Sequence, residues 1–519
     1  MTRSLVLSLL IALGPSLSLG TLPPGALWLG PLPLGAQERI DRDMVARIRA
    51  EGFENSHVME VYNHLTNVIG PRLTNSPGYY AAVEWTSDKM TEWAFEDVHL
   101  EAWEFGRGWS LEKFSVEMLE PRYLPMIGFP RGWSASTRGR LVSQPIMLGG
   151  RSAEELRSLE GRLEDAIVLT RPIETNFIRA DRPQPQFEDR LDPPTRGQFQ
   201  APSTPQSAAQ QADLSQRQEA SRALGDLMVG GGIGVQLAPT RGEHGTLFVT
   251  GRDQGEGAVP SVVLAAEHYN LIARLLEQEI PVTLAVEVAG RYYEDDTNAY
   301  NIIAEIKGVD SEIGDEVVMV GAHLDSWHTG TGATDNADGS SIVMESLRIL
   351  KALDVQPRRT IRVALWGGEE QGLLGSREYV RNHFEGADNV VEHEKFSVYY
   401  NLDNGFAPIY GFYMEANEAA REIMEDWLEP FNDLGANLST MAQIGSTDHL
   451  SFIGAGLPGF QAIHDYTGYD VRTHHTNMDT FERVQEEDLK QAAVVMASIL
   501  YHSAMRDGRM PRAMVAARR

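Results

Sequence analysis

No cysteine occurs anywhere in the 519 residues. Disulfides and thiolate metal sites are therefore excluded, and any metal must be held by His, Asp and Glu. Positive charge is scarce too. Lys and Arg number 45 against 73 Asp and Glu, a net charge of −28. That excludes nucleic acid as an expected partner, because neutralising phosphates needs a basic face. An apolar run of the roughly 20 residues that span a bilayer is also missing. The greasy stretch LVLSLLIALG behind Arg3 is shorter and has the layout of a secretory signal. Residues 1–36 thus read as signal peptide and Pro/Gly-rich leader, with cleavage after Gly20 or Ala36. The expected product is secreted or periplasmic, with no stable membrane insertion once the signal is removed. An uncleaved anchor is the alternative.

What is present suits a folded protein of more than one domain. Hydrophobic residues make up 42% and charged residues 23%, ordinary for a globular chain, and a single domain rarely exceeds roughly 200 residues. Residues 37–120 read as the first part of the larger domain. There MVARIRAEGF and YYAAVEWTSDKMTEWAF predict helices on either side of the turn-forming GPRLTNSPG, and strands follow from Val98. Residues 121–292 change texture. Short β-like runs (AIVLT, IGVQL, TLFVT, VTLAVEV) and the helical AAEHYNLIARLLEQ predict a smaller α/β domain inserted into the larger one. Within it, residues 179–222 are rich in Pro, Gln and Ser and predict a flexible surface insertion. Residues 293–505 return to the larger domain, and 506–519 form a basic tail expected to fray.

The second part is the most regular. Near-continuous apolar runs (YNIIAEI, EVVMVGAHLD, TIRVALWGGE, FSVYYNLDN, LPGFQAIH) alternate with amphipathic stretches such as SIVMESLRILKAL. This predicts an α/β fold with a mostly parallel central sheet flanked by helices. In such sheets the chemistry lies beyond the carboxyl ends of the strands. His323 and Asp325 end one run, Asp335 follows in a Gly-rich loop, Glu369 and Glu370 end the next, Asp403 ends another, and His474 and His475 lie downstream. Carboxylates at the ends of buried strands are costly unless paired or metal-bound. Two imidazoles and three carboxylates, one of them shared, suffice for two ions with room left for water.

HLDSW, GATDNADG, WGGEEQGLLGS, the NLD strand end and H-T-x-x-D-T resemble the motifs of the co-catalytic zinc aminopeptidase family, and with GPRLTNSPG are most similar to its carboxypeptidase Q branch. The resemblance implies a zinc-peptidase sandwich with an inserted protease-associated domain, and two zinc ions per chain. It implies His323, Asp335, Glu370, Asp403 and His475 as metal ligands, with Asp335 bridging. It implies Glu369 as general base, Asp325 as the carboxylate behind His323, and a cis peptide at Asp335–Asn336. The implied activity is exopeptidase hydrolysis of a peptide or dipeptide substrate, as aminopeptidase or dipeptidase. The adjacent His474 leaves the last ligand ambiguous but for motif register. His328 stands where that branch carries an acid, which opens the question of substrate preference.

Other residues have two readings. Asp448 and His449 serve either the site or a helix cap; Tyr466 and Tyr469 either hold an oxyanion or pack. His57, His64, His268 and His464 lack ligand spacing. A homodimer is left open. Two rivals stand beside the peptidase reading. A glutaminyl-cyclase-like transferase would need one zinc, and a non-catalytic binding protein on the same fold would have lost ligands that are all present here.

Overall fold

The computed structural model describes residues 38–189, 208–230 and 232–513. The signal and leader expected at 1–36 lie outside them, as do the last six residues of the tail. The framework is an eight-stranded sheet built from β1 (Glu96–Glu104), β2 (Asn298–Ile306), β3 (Val317–His323), β4 (Thr360–Trp366), β5 (Phe396–Asn401), β6 (Phe406–Tyr413), β7 (Leu438–Thr440) and β8 (Gly459–Asp465), in the order β1-β2-β4-β3-β5-β8-β6-β7. Its centre is parallel: β3 pairs in parallel with β4 and β5, and β5 with β8. Away from the centre the pairing turns antiparallel, at β1–β2, β2–β4 and β6–β8, and the edge pair β6–β7 is again parallel. A mixed sheet with antiparallel flanks is common in doubly covered folds.

Both faces are covered, which is why the strands read as unbroken apolar runs. In β3, Val318, Val320 and Ala322 enter one core and Val317 and Met319 the other; β4 divides the same way, Ile361, Val363 and Leu365 against Ala364 and Trp366. That is the two-residue alternation of a strand. The first core is closed by the helices Arg42–Glu54, Asp338–Ala352 and Glu486–Met505, the second by Leu374–His383 and His449–Gly454. Among the described residues no helix is long and apolar enough to cross a membrane.

Between β1 and β2 the chain builds two smaller sheets of four and five strands. Gly108–Glu120 pairs along its length with Thr283–Tyr293 and not with the central sheet. TLFVT forms no strand; Phe248 makes only an isolated bridge to Thr476. Two parts of the segment expected to be flexible, 179–222, are ordered. Ala208–Gly230 is a helix whose Ala223 and Leu227 pack with Leu156, Leu163 and Val168. Most of the apolar residues that hold it, Ala223, Leu224, Leu227 and Met228, lie beyond position 222, outside the window whose composition suggested flexibility. Residues 179–186 are pinned by hydrogen bonds to the 464–471 loop. Residues 190–207 lie outside the described residues.

Two contacts fix the loops at the carboxyl end of β3. Arg72, from GPRL, is fully buried. Its guanidinium donates to Leu324 O (2.7 Å), Leu65 O (3.2 Å), Gly70 O (3.0 Å), Thr331 O (2.9 Å) and Gly332 O (2.8 Å). One buried fork thus joins the N-terminal segment to both loops that carry the acidic motifs, and its hydrogen bonds offset the cost of burying a charge. The second contact is His328, whose Nε2 lies 2.8 Å from Pro130 O and whose ring meets Trp109 and Phe129 edge-on. Burial pulls this imidazole down to about 4, so it is neutral and donates to the carbonyl.

Arg72→Met is expected to leave five carbonyls without their donor. At about 1–3 kcal/mol for each unsatisfied buried group, the loss should exceed about 4 kcal/mol, near the extreme for a single substitution. An unfolding free energy from urea titration of the metal-free variant within about 1 kcal/mol of wild type would refute the clamp. The pH dependence follows from His328. Its pKa is 6.5 when unfolded and about 4 when folded, so the unfolded chain binds the extra proton between those values. Stability from this residue is complete above 6.5 and is lost as pH falls towards 4. The melting temperature of metal-free His328→Gln should therefore fall less steeply over that window than that of wild type.

Candidate metal centre

Each acidic motif reaches the site because a strand ends there. His323 is the last residue of β3, and Leu324 continues past β4 by donating to Trp366 O. After β4 the chain turns at Gly367 and Gly368. Gly368 has φ +67°, and a Cβ there would lie 2.7 Å from Trp103, so glycine is required. The turn brings the backbone N–H groups of Glu369 and Glu370 onto one acceptor, the carboxylate of Asp325, at 3.2 and 3.3 Å. Thr74 Oγ1 donates to the same carboxylate at 3.0 Å. His323 Nδ1 is 2.9 Å from Asp325 O and 3.6 Å from its Oδ1. Asp325 thus orients the imidazole and the glutamate pair together.

His323 Nε2 faces three carboxylates: Asp335 Oδ1 at 3.1 Å, Asp403 Oδ1 at 3.6 Å and Glu369 Oε2 at 3.9 Å. His475 Nε2 faces two, Glu370 Oε2 at 2.9 Å and Asp335 Oδ2 at 3.5 Å. The two oxygens of Asp335 are therefore divided between the two imidazoles. A cis peptide joins Asp335 to Asn336, and the loop is held by Asp479, which accepts from Thr334 N at 2.7 Å and from its hydroxyl at 2.9 Å. Asn336 Nδ2 in turn donates to Leu402 O at 2.8 Å, beside Asp403.

Electrostatics in this pocket are set by burial. Burial drives the Glu369 carboxyl well above the ordinary carboxylate range, His323 opposing and Asp403 adding to the rise. Burial and then Asp335 push Glu370 up to about 7, against His475. Burial also raises Asp479 to about 7. For Asp335, burial is outweighed by the two imidazoles, which hold it below its usual range. Burial lowers His475, yet Glu370 and Asp335 more than compensate and hold it at about 9.

All seven residues singled out from the motifs are gathered here. His474 is not oriented like its neighbour. Its ring stacks on Tyr469, its Nδ1 is 3.9 Å from Asp470, and burial pulls it down to about 3. Asp448 starts the His449–Gly454 helix without a side-chain capping bond; it is fully buried, and burial raises it to about 7. His449 Nε2 lies 3.2 Å from Glu415. Tyr466 OH is 3.0 Å from Tyr413 OH. Arg72, Thr74 and Asp479 were not singled out beforehand, although each lies inside a motif that was; spacing marks a motif but not which of its members faces the site.

The donor set fits a divalent metal. His323 Nε2, Asp335 Oδ2 and both Glu370 carboxylate oxygens are buried and, despite these close contacts, make no hydrogen bond of good geometry, which is costly unless something else satisfies them. His323, Asp335 and Asp403 can reach one ion together, and so can Asp335, His474 and His475. Imidazole and carboxylate donors suit zinc.

Proteins similar to this chain are peptidases. The sequence profile of peptidase family M28 matches residues 301–500, the span that holds every residue of the pocket except Arg72 and Thr74. Carboxypeptidase Q of Bos taurus is 27% identical over 451 residues, covering 86% of this chain and 85% of its own. A peptidase M28 precursor of Shewanella amazonensis superposes with a TM-score of 0.66 at 23% identity over 91% of this chain and 98% of its own. A zinc aminopeptidase of Bacillus subtilis superposes at 0.56 with 18% identity, over 87% and 95%. The two structures speak for the fold; the family profile and the long carboxypeptidase Q match carry the class. The chain is therefore a metallo-exopeptidase whose residues 301–500 match the model of peptidase family M28.

Proposed function

We propose that this metallo-exopeptidase cuts the peptide bond next to a free terminus, as an aminopeptidase or dipeptidase, with two zinc ions. His323 and Asp403 would hold one, His475 and Glu370 the other, and Asp335 would bridge them. The observation that carries this reading is the division of the Asp335 oxygens between His323 and His475. When bound, the ions supply Lewis acidity, making a water acidic enough to ionise near neutral pH and polarising the scissile carbonyl. The relatives supply the substrate class: carboxypeptidase and aminopeptidase are the names of proteins similar to this one.

The remaining work falls to the chain's own groups. Glu369 is a carboxylate of the pocket that neither ion would need as a donor. Its Oε2 faces the same space as His323 Nε2, so it is placed to accept the proton of the attacking water and return it to the leaving amine. Asp325 fixes the direction of Glu369 through the backbone N–H and keeps His323 in the tautomer that presents Nε2. The basic start and short apolar run of residues 1–36 support export of the enzyme.

Glu369→Gln should retain its metal and its melting temperature but lose about 10²–10⁴-fold in turnover on a free dipeptide. Wild-type turnover would remove Glu369 from the mechanism. Asp335→Asn should lower the bound metal measured by elemental analysis at both positions, since the shared carboxylate serves each. Loss of a single ion, with the other bound at full strength, would show that Asp335 does not bridge.

A further inference from the structure

Arg182 comes from the block between β1 and β2, yet its side chain ends at the rim of the metal pocket. Its backbone N–H donates to Asp470 Oδ2 at 2.7 Å. Its Nε and Nη2 grip the same carboxylate at 2.9 and 2.6 Å, and Nη1 donates to Asn404 Oδ1 at 2.7 Å. The guanidinium also lies over the rings of Tyr466 and Tyr469, 5.1 and 5.4 Å from their centres. Neighbours on both sides add to the attachment. Asp181 accepts from Gly468 N at 2.8 Å and Val471 N at 3.0 Å, and Gln184 donates to His464 O at 2.9 Å.

Each arm of this fork ends on a segment that carries a proposed ligand. Asn404 donates from its backbone and its amide to the Asp403 carboxylate. Asp470 lies in the π-helical turn Tyr469–Thr473, which runs directly into His474 and His475. His475 itself sits at φ +60°, a backbone that a non-glycine residue keeps only where its surroundings enforce it. Asp403 and His475 belong to different proposed ion positions. A planar group bonded to both segments at once therefore sets the distance between them, which a flexible ammonium could not do equally well.

We propose that Arg182 is a positioning residue, through which the inserted block holds the Asp403 strand end and the His475 loop at the separation that two-metal binding requires. The proposal rests on the two-metal reading, and the experiment distinguishes the two. Metal-free wild type, Arg182→Ala, Arg182→Lys and Asp470→Asn proteins would be titrated with cobalt, which accepts the same donors. Stoichiometry, affinity and the visible absorption bands would be recorded, with the melting temperature of each metal-free protein. Arg182→Ala should bind at least one ion about ten-fold or more weakly, the usual effect of removing a group behind a ligand, with altered bands. Arg182→Lys should recover part of the affinity, because an ammonium can pair with Asp470 without also serving Asn404. Wild-type affinity and bands in Arg182→Ala would overturn the proposal, even if its melting temperature fell. Should that variant not fold, the same result in Asp470→Asn would overturn it. A wild type that takes one cobalt refutes the two-metal reading instead; the ratio of affinities for that ion then still decides the role of Arg182.

Discussion

The rest of this structure depends on keeping negative charge buried at the carboxyl end of a parallel sheet. Asp325, Asp335, Glu369 and Asp403 are all buried, with Glu370 beside them, and like charges at this range repel strongly in a medium that screens poorly. Two imidazoles compensate part of that charge, and the acids that face His475 raise its pKa. The compensation is incomplete, as the oxygens of Asp335 and Glu370 that make no hydrogen bond of good geometry show. Such an arrangement is poor as packing and well suited to dications, which replace several weak charge contacts by direct ligation.

Because the pocket is strained by its own charge, the surrounding layer carries most of the organisation. Asp325 collects the backbone of the glutamate pair and the back of His323. Asp479 holds the loop of Asp335, and Arg72 ties both loops to the N-terminal segment through carbonyl oxygens alone. These groups come from distant points of the sequence, and none of them need touch a metal. They explain why motifs such as GPRL and H-T-x-x-D-T extend beyond the donors themselves.

The block between β1 and β2 takes part in the same arrangement. Its Pro130 carbonyl meets His328, its Trp133 meets Trp327, which in turn faces His475, and its Arg182 reaches Asn404 and Asp470. It therefore contributes to the walls of the centre while its own sheets remain separate from the central one. Separate hydrogen-bonded sheets can still share a site, since loops and not ladders line it.

The sequence by itself determined the covered sheet and marked the acids and imidazoles at its strand ends. Unbroken apolar runs leave a strand no solvent face, and an acid or imidazole at the end of such a run has no role in packing, so both are visible locally. It also marked the Gly-rich turns, since only glycine fits Gly368 against Trp103. Tertiary structure alone decided which imidazole of the adjacent pair faces Glu370, because His474 and His475 differ by backbone torsion and not by residue type. It alone decided that the outer strands run antiparallel, since pairing partners such as β1 and β2 are far apart in the chain. The ordering of 208–230 was equally hidden, as its helix is held by Leu156, Leu163 and Val168 and not by its own composition. The same holds for Arg182, whose partners at 404 and 470 lie more than two hundred residues away. Composition reports what a segment can bury; only the folded chain decides what it is buried against.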